Sequence, residues 1–336
     1  MRSVRVGLMG AVATFMALGG TALAQEYTLR LAHYLPPTHN QAANVIPDWV
    51  QRIEDQSDGR IAIEVFPAGQ LLGIADIYDG VEAGVADIGW GLPAIQPGRF
   101  PMLSLMELPF EFQSAEQASR VAMTLLDEGV LDDEFDGVVP LYIHTHSPAG
   151  VHTREAPVTA PGDLDGLRIR FPSAPVREML TAWGADPVGV PAPQVYENLE
   201  TGVLDGVAFP YEAMKGLRLG EQVSYHTELP LYTLTFYMIM NQQVFDDLPE
   251  DLQQVILDNS GMDEAIAVGR SWDEEDQRGR DYVLELGNQI TVIPAEELAS
   301  WRQPVDAAIA AYLDGLEAEG HPAREVYARI QAIAAE

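Results

Sequence analysis

The stretch Tyr27-Thr28-Leu29-Arg30-Leu31-Ala32-His33 alternates and then turns apolar, the pattern of a strand buried in a sheet. Pro36, Pro37 and Asn40 end it. Over residues 42–56 apolar side chains fall at Val45, Ile46, Trp49, Val50 and Ile53, which is helical spacing, and Ser57-Asp58-Gly59 stops that helix. Residues 61–66 alternate again, so the chain opens β-α-β. A helix over 74–83 and a strand over 86–90 extend the series. Such alternation predicts an α/β fold on an open, mostly parallel sheet with helices on both faces. Ligands of such sheets bind beyond the carboxyl ends of the strands. His33, Tyr34, Trp90 and Gly91 are therefore the first candidates for ligand contact.

Further along, a strand is expected over 139–146, followed by loop residues Ser147, Pro148 and Gly150. A second α/β run then begins: strand 167–171, helix 176–183, strand 187–190, a short helix at 196–199 and strand 206–209. After Pro230, residues 232–241 are rich in aromatic and β-branched side chains, as in a strand returning to the first lobe. The pattern predicts two lobes. Residues 25–147 with about 236–275 form lobe I, and 148–235 with about 276–336 form lobe II. Two crossings between them make a hinge and a cleft. The later half is helical, opening on the acidic first turn Pro249-Glu250-Asp251-Leu252. Leu252, Val255, Ile256, Ile266, Val268 and Trp272 mark a long exposed helix or a pair, with the interleaved acids read as a solvated face. Leu298, Trp301, Val305, Ile309, Tyr312 and Leu316 pack further helices. No internal repeat is visible.

Met1, Arg2 and Arg5 precede an apolar run through Val6, Leu8, Met9, Val12, Phe15 and Leu18 that ends in Ala22-Leu23-Ala24. This is the form of a secretory signal peptide over residues 1–24, cleaved after Ala24. No later stretch approaches the roughly 20 apolar residues of a membrane span, so no membrane insertion is expected. The formal charge is −32 and Lys215 is the sole lysine. Such a surface repels nucleic acid and anionic lipid and suits a saline medium that screens its self-repulsion. With 47% hydrophobic residues the chain can still build a core. It has no cysteine, which removes disulfides and thiolate chemistry.

Catalytic and cofactor signals are sparse. His144 and His146 share a strand face and His152 follows, but no further ligand recurs at a metal-binding spacing, so no metal is expected. There is no G-x-S-x-G elbow and no glycine-rich nucleotide loop, so no cofactor is expected either. The arginines carry more information. In Gly166-Leu167-Arg168-Ile169-Arg170-Phe171-Pro172, alternation sets Arg168 and Arg170 on one face. An arginine there can offer a planar fork to a carboxylate, or can pair with one of the chain's many acids.

Four blocks, in order, resemble a known family: Leu29-Arg30-Leu31-Ala32-His33, Glu64-Val65-Phe66-Pro67-Ala68-Gly69-Gln70-Leu71, Asp163-Leu164-Asp165-Gly166-Leu167-Arg168-Ile169-Arg170 and Leu199-Glu200-Thr201-Gly202-Val203-Leu204-Asp205-Gly206. The chain resembles the extracytoplasmic solute receptors of tripartite ATP-independent periplasmic (TRAP) transporters, of the dicarboxylate-receptor (DctP) type. That resemblance covers nearly the whole mature chain. It implies a two-lobed periplasmic binding protein fold, closure around a ligand, delivery to membrane subunits, and Arg170 as the arginine that pairs with the substrate carboxylate. Arg168 would then line the cleft rim.

Two departures bear on the ligand. Where family members often carry Asn in D-G-x-x-N-P, this chain has Phe209 in Asp205-Gly206-Val207-Ala208-Phe209-Pro210. Where sugar-acid receptors carry a second arginine, it has Gly150, His152 and Arg154. The ligand expected is a small organic acid with one main anionic group and an apolar or aromatic body. Trp90, Tyr34, Phe209 and Tyr211 are candidates to sandwich that body, and His33, His146 and Arg168 complete the candidate site. The protein is expected to be a periplasmic monomer and not an enzyme. Alternatives are a receptor for a zwitterionic compatible solute, held by cation–π attraction, a secreted carboxylate-using enzyme, and a sensor input.

Overall fold

The computed structural model describes residues 25–336; the signal peptide expected over 1–24 lies outside the described residues. Eleven strands are present among the described residues: β1 Tyr27–His33, β2 Ile61–Phe66, β3 Ile88–Gly91, β4 Val138–Thr145, β5 Gly150–Thr153, β6 Arg168–Phe171, β7 Asp186–Gly189, β8 Gly206–Phe209, β9 Tyr225–Glu228, β10 Thr235–Asn241 and β11 Gln289–Val292. The helices are α1 Ile46–Gln56, α2 Ile77–Glu82, α3 Ala115–Asp127, α4 Ala174–Ala182, α5 Val195–Glu200 and α6 Tyr211–Gly216, then α7 Gln242–Asp246, α8 Glu250–Asp258, α9 Gly261–Glu285, α10 Leu298–Arg302, α11 Asp306–Ala318 and α12 Ala323–Ala334.

The strands form two sheets, ordered β2-β1-β3-β10-β4 and β11-β9-β5-β8-β6-β7. Both sheets are mostly parallel, as expected, with one reversed strand in each. β10 runs antiparallel to β3 and β4, and β5 runs antiparallel to β8 and β9. These reversed strands are the ones that enter each sheet from the opposite lobe, so direction reverses where the chain crosses. Strands β5, β9 and β11, which the sequence reading passed over, have four residues each and fall outside the strand–helix alternation that marks β3, β6, β7 and β8.

The core follows from the apolar spacing. In α1, Ile46, Trp49, Val50 and Ile53 are buried along one stripe, and the Trp49 indole donates to the Asn259 carbonyl (2.6 Å), tying α1 to the end of α8. Each sheet also repeats one device, contrary to the expectation of no internal repeat. In the first, Arg30 forks onto Asp87 (Nε–Oδ2 3.0 Å, Nη2–Oδ1 2.9 Å), and Asp87 N–H donates to the Arg30 carbonyl. In the second, Arg168 forks onto Asp205 (2.8 and 2.6 Å) with the same backbone bond. Gly84 and Gly202, three residues before each aspartate, both have positive φ, which ends the preceding helix and aims the chain into the next strand. The repeat hides in sequence because only Leu-Arg, Gly-Val and Asp recur at matched places.

α9 joins the lobes. Gly269 lies against the backbone of Ala115 at the start of α3, and Gly279 lies against Tyr211 at the start of α6, where an added Cβ would come within 2.0 Å of the carbonyl oxygen. Between them, Asp273 accepts from the N–H groups of Ala115 and Glu116, and Asp276 accepts from that of Glu212. Two acids read as a solvated face thus receive the first amides of one helix from each lobe. The last helix departs from its expected place in lobe II: α12 packs on α3 of the first sheet, with Arg329 paired to Glu128. Among the described residues no helix is long and apolar enough to cross a membrane.

Candidate functional site

Arg170 follows the Arg168–Asp205 fork by two residues, so β6 carries its side chain inward at the carboxyl end of the second sheet. It is 6% exposed, and its Nε donates to the Val190 carbonyl (3.1 Å). The Phe209 ring covers the guanidinium face, with Cζ 4.0 Å from the ring centroid. Among the described residues no carboxylate reaches ion-pair distance of it. Burial lowers its pKa to about 10, opposed by the Tyr232 and Tyr34 hydroxyls. A buried, unpaired guanidinium is costly unless an anion completes it.

Phe209 is fixed from behind. Its carbonyl accepts from His152 Nε2 (2.8 Å), His152 Nδ1 meets His226 Nδ1 (2.7 Å), and Asn288 reaches His226 Nε2 (3.2 Å). One tautomer set satisfies this chain: Asn288 donates to His226, His226 to His152, and His152 to the carbonyl. Burial pushes the two imidazoles down to about 4 and about 2, so both are neutral.

The first lobe supplies the facing wall. Tyr34 lies 5.4 Å from Trp90, and Trp90 stacks on Phe236 (4.9 Å), which stacks on Trp272 (5.4 Å). Trp90 and Trp272 aim their indole N–H groups at the two nitrogens of His144 (2.9 and 3.1 Å); a neutral imidazole can accept only one of them. Trp90 is fully buried with its polar atom engaged, so it shapes the chamber as part of an aromatic stack. His33, in register with Trp90, is 1% exposed and neither ring nitrogen has a partner. Burial, with His39 nearby, lowers its pKa to about 4.

Three predicted residues stand elsewhere. Arg168 is consumed by Asp205 and half exposed, so it pairs with an acid of its own chain and not with a ligand. His146 donates from Nδ1 to the Ser147 carbonyl (2.6 Å) and accepts at Nε2 from Leu234 N–H (3.2 Å), which stitches together the two crossings between lobes. Tyr211 faces a cavity behind the hinge, with Ser147, Glu228, Asp276 and Arg280. The sequence reading missed Tyr232, whose hydroxyl donates to the Ala208 carbonyl (2.9 Å) beside Arg170. It also missed His39 and Glu212, which meet across the cleft (Nε2–Oε1 3.2 Å) at one mouth. Among the described residues no group of three or more His, Asp or Glu is disposed to hold a metal.

This arrangement can bind a carboxylate on Arg170 and bury an apolar body between two lobes. The bacterial extracellular solute-binding protein family 7 matches residues 31–314. The chain belongs to that family. Among solved structures, it is similar to a TRAP solute-binding protein from Rhodoferax ferrireducens in complex with copurified benzoate (33% identity, TM-score 0.87, covering 92% of this chain and 97% of that one). It is also similar to a marine metagenome TRAP protein specific for aromatic acid ligands, in complex with metahydroxyphenylacetate (30% identity, TM-score 0.87, 92% and 99%). Among curated proteins, it is 24% identical to the C4-dicarboxylate-binding periplasmic protein DctP of Rhodobacter capsulatus over 311 residues, 90% of this chain and 91% of that one. The receptor is thus a periplasmic solute-binding protein of a TRAP system, from a family of binding proteins and not of enzymes.

Proposed function

We propose that this receptor captures a small aromatic monocarboxylate in the periplasm, binds it without turnover, and delivers it to the membrane subunits of a TRAP transporter. The observation that carries the reading is Arg170, buried under Phe209 with no carboxylate of its own, near Tyr34, which packs on Trp90. Solved relatives at 30% identity or more, bound to benzoate, to metahydroxyphenylacetate and to mandelate, support the aromatic class. A C4-dicarboxylate would need a second cation. Among the described residues Arg170 is the one buried arginine.

The same reading includes export. Residues 1–24 act as the signal peptide, and N-terminal sequencing of the mature protein should start at Gln25. Lobe I (25–147 with about 236–275) and lobe II (148–235 with about 276–323) close as units about the crossings that His146 stitches, and the receptor acts as a monomer.

The test is a calorimetric screen of benzoate, phenylacetate, succinate and glucuronate, with the ligand's NMR spectrum followed for turnover. Binding of the first two and silence from the others supports the proposal. Full affinity in Arg170→Ala, or conversion of a bound acid, overturns it. A zwitterionic ligand is the second reading, favoured by Glu212, whose charge acts on Tyr34 and His146 alongside that of Arg170. Glycine betaine and phenylglycine in the same screen decide it.

A further inference from the structure

The cleft's other mouth opens on a cavity of about 330 Å³ between the lobes, walled by Pro93, Phe100, Phe171, Pro172 and Tyr312. Into this mostly apolar space come three polar groups. Glu107 is 2% exposed and has no cationic partner among the described residues. Ser173 Oγ and Gln96 Oε1 are buried and have no hydrogen-bond partner. Ser173 stands at the N-cap of α4 without capping it, whereas Ser114 in the same position of α3 accepts from Gln117 N–H (3.1 Å). An idle cap forfeits the stabilisation a capping hydrogen bond gives a helix, and the hydroxyl lies instead beside the Glu107 carboxyl. Phe171, Pro172 and Ser173, which line this space, follow directly on Arg170. The cavity therefore adjoins Arg170 at the end of β6.

We infer that Glu107, Ser173 and Gln96 form a second subsite, which takes an uncharged hydroxyl on the end of the ligand remote from its carboxylate. The donor and acceptor inventory selects that group. Gln96 Oε1 only accepts, a protonated Glu107 donates and accepts, and Ser173 does both, so a hydroxyl satisfies the set. A second carboxylate would meet the Gln96 oxygen and the Glu107 carboxyl. Burial raises the Glu107 pKa to about 8, which keeps it neutral near pH 7 and withholds the negative charge an ammonium would need.

The inference rests on the aromatic-acid reading above, and one experiment separates the two. Calorimetry on the mature receptor would compare benzoate, phenylacetate and cinnamate with their 3- and 4-hydroxy derivatives. At least one hydroxylated acid should bind about tenfold tighter than its parent, the worth of one net hydrogen bond. In Ser173→Ala and in Glu107→Leu that advantage should shrink to about twofold with parent affinity unchanged, and Glu107→Gln should keep most of it. Ser173→Ala removes only a hydroxyl that caps no helix and carries the test if the Glu107 variants fail to fold. Parents that bind with no hydroxyl preference, or a preference that survives both variants, overturn this inference alone. Parents that do not bind at all overturn both readings.

Discussion

The guanidinium of Arg170 lies over the ring of Phe209, Cζ 4.0 Å from its centroid, so the ring covers one face of the cation while Nε donates to the Val190 carbonyl. Phe209 is thereby a residue that orients the anion's partner more than one that sandwiches the ligand. Phe209→Asn should weaken all carboxylates alike, by about five- to thirtyfold for one partly desolvated cation–π contact, with little change in ranking. Calorimetry over the acid panel checks this, and a shift in ranking with unchanged affinity would return Phe209 to the ligand. Arg170→Lys should lose at least about tenfold because a point charge cannot make two parallel bonds.

The approach of α9 to the second lobe admits no side chain. Gly279→Ala should destabilise the protein by about 1–3 kcal/mol, as overpacking does, and more if the carbonyl of Tyr211 cannot shift. Urea unfolding measures it. Gly315, with open space where its Cβ would stand, provides the control, and Gly315→Ala inside α11 should be neutral or stabilising.

His39 and Glu212 belong to opposite lobes and meet at the cleft mouth. Removing the pair should hasten ligand release several-fold, since the closed form loses a contact that the open form lacks. Stopped-flow release from Glu212→Gln and His39→Ala would show it. Equal release rates in wild type and both variants would reduce the pair to a surface contact.

Stability should fall on both sides of neutrality. The folded protein holds a proton on Glu107 up to about pH 8, whereas the unfolded chain releases it near 4.5. That contribution is complete below the unfolded value and is lost as pH rises through 8. Glu134 and Asp276, pushed up to about 7 by burial, act in the same direction. His152 and His226 oppose it from the acid side: both are held neutral in the fold, and their contribution, present above 6.5, is lost as pH falls toward about 4 and about 2. Melting curves between pH 4 and 9 should show the dome, and Glu107→Gln should flatten its alkaline limb.

With a formal charge of −32, the surface repels itself. Raising sodium chloride from about 0.05 to 1 M shortens the screening length from over 10 Å to roughly 3 Å and should raise the melting temperature by several degrees. A flat response would show that the acids left without a basic partner stand too far apart to repel one another appreciably.

The fold was legible wherever a segment was long enough to show a period. Leu29 and Leu31, the stripe from Ile46 to Ile53, and the aromatic run into β10 each announce their element. Four-residue strands were legible where they alternated with helices, as β3, β6, β7 and β8 do, and not where, as in β5, β9 and β11, they fell outside that series. The site was legible through one scarce residue, since a buried arginine in an acidic chain has few explanations. Its partner Arg168 looked identical in pattern and proved to be bound to Asp205, thirty-seven positions away, a distance no local rule spans. His146 failed for a like reason: its two partners are a neighbouring carbonyl and an amide on the other crossing. Tyr232, Glu107 and Glu212 lay in segments read only for their secondary structure, and Tyr232 comes beside Arg170 only through the folded backbone, at the Ala208 carbonyl.

The long helix that touches Ala115 through Gly269 and Tyr211 through Gly279 sets a mechanical condition on binding. Backbone lies on backbone at both contacts, with no flexible side chain between to absorb movement. The jaws therefore share one stiff leaf spring: to part, they must flex that helix or lift off one of its glycine seats. Whatever elastic energy this takes fixes how often the empty receptor stands open, and so sets the affinity of every ligand by the same factor. Substitutions along Gly261–Glu285, far from any bound acid, would tune how tightly the receptor holds its cargo without altering which cargo it prefers.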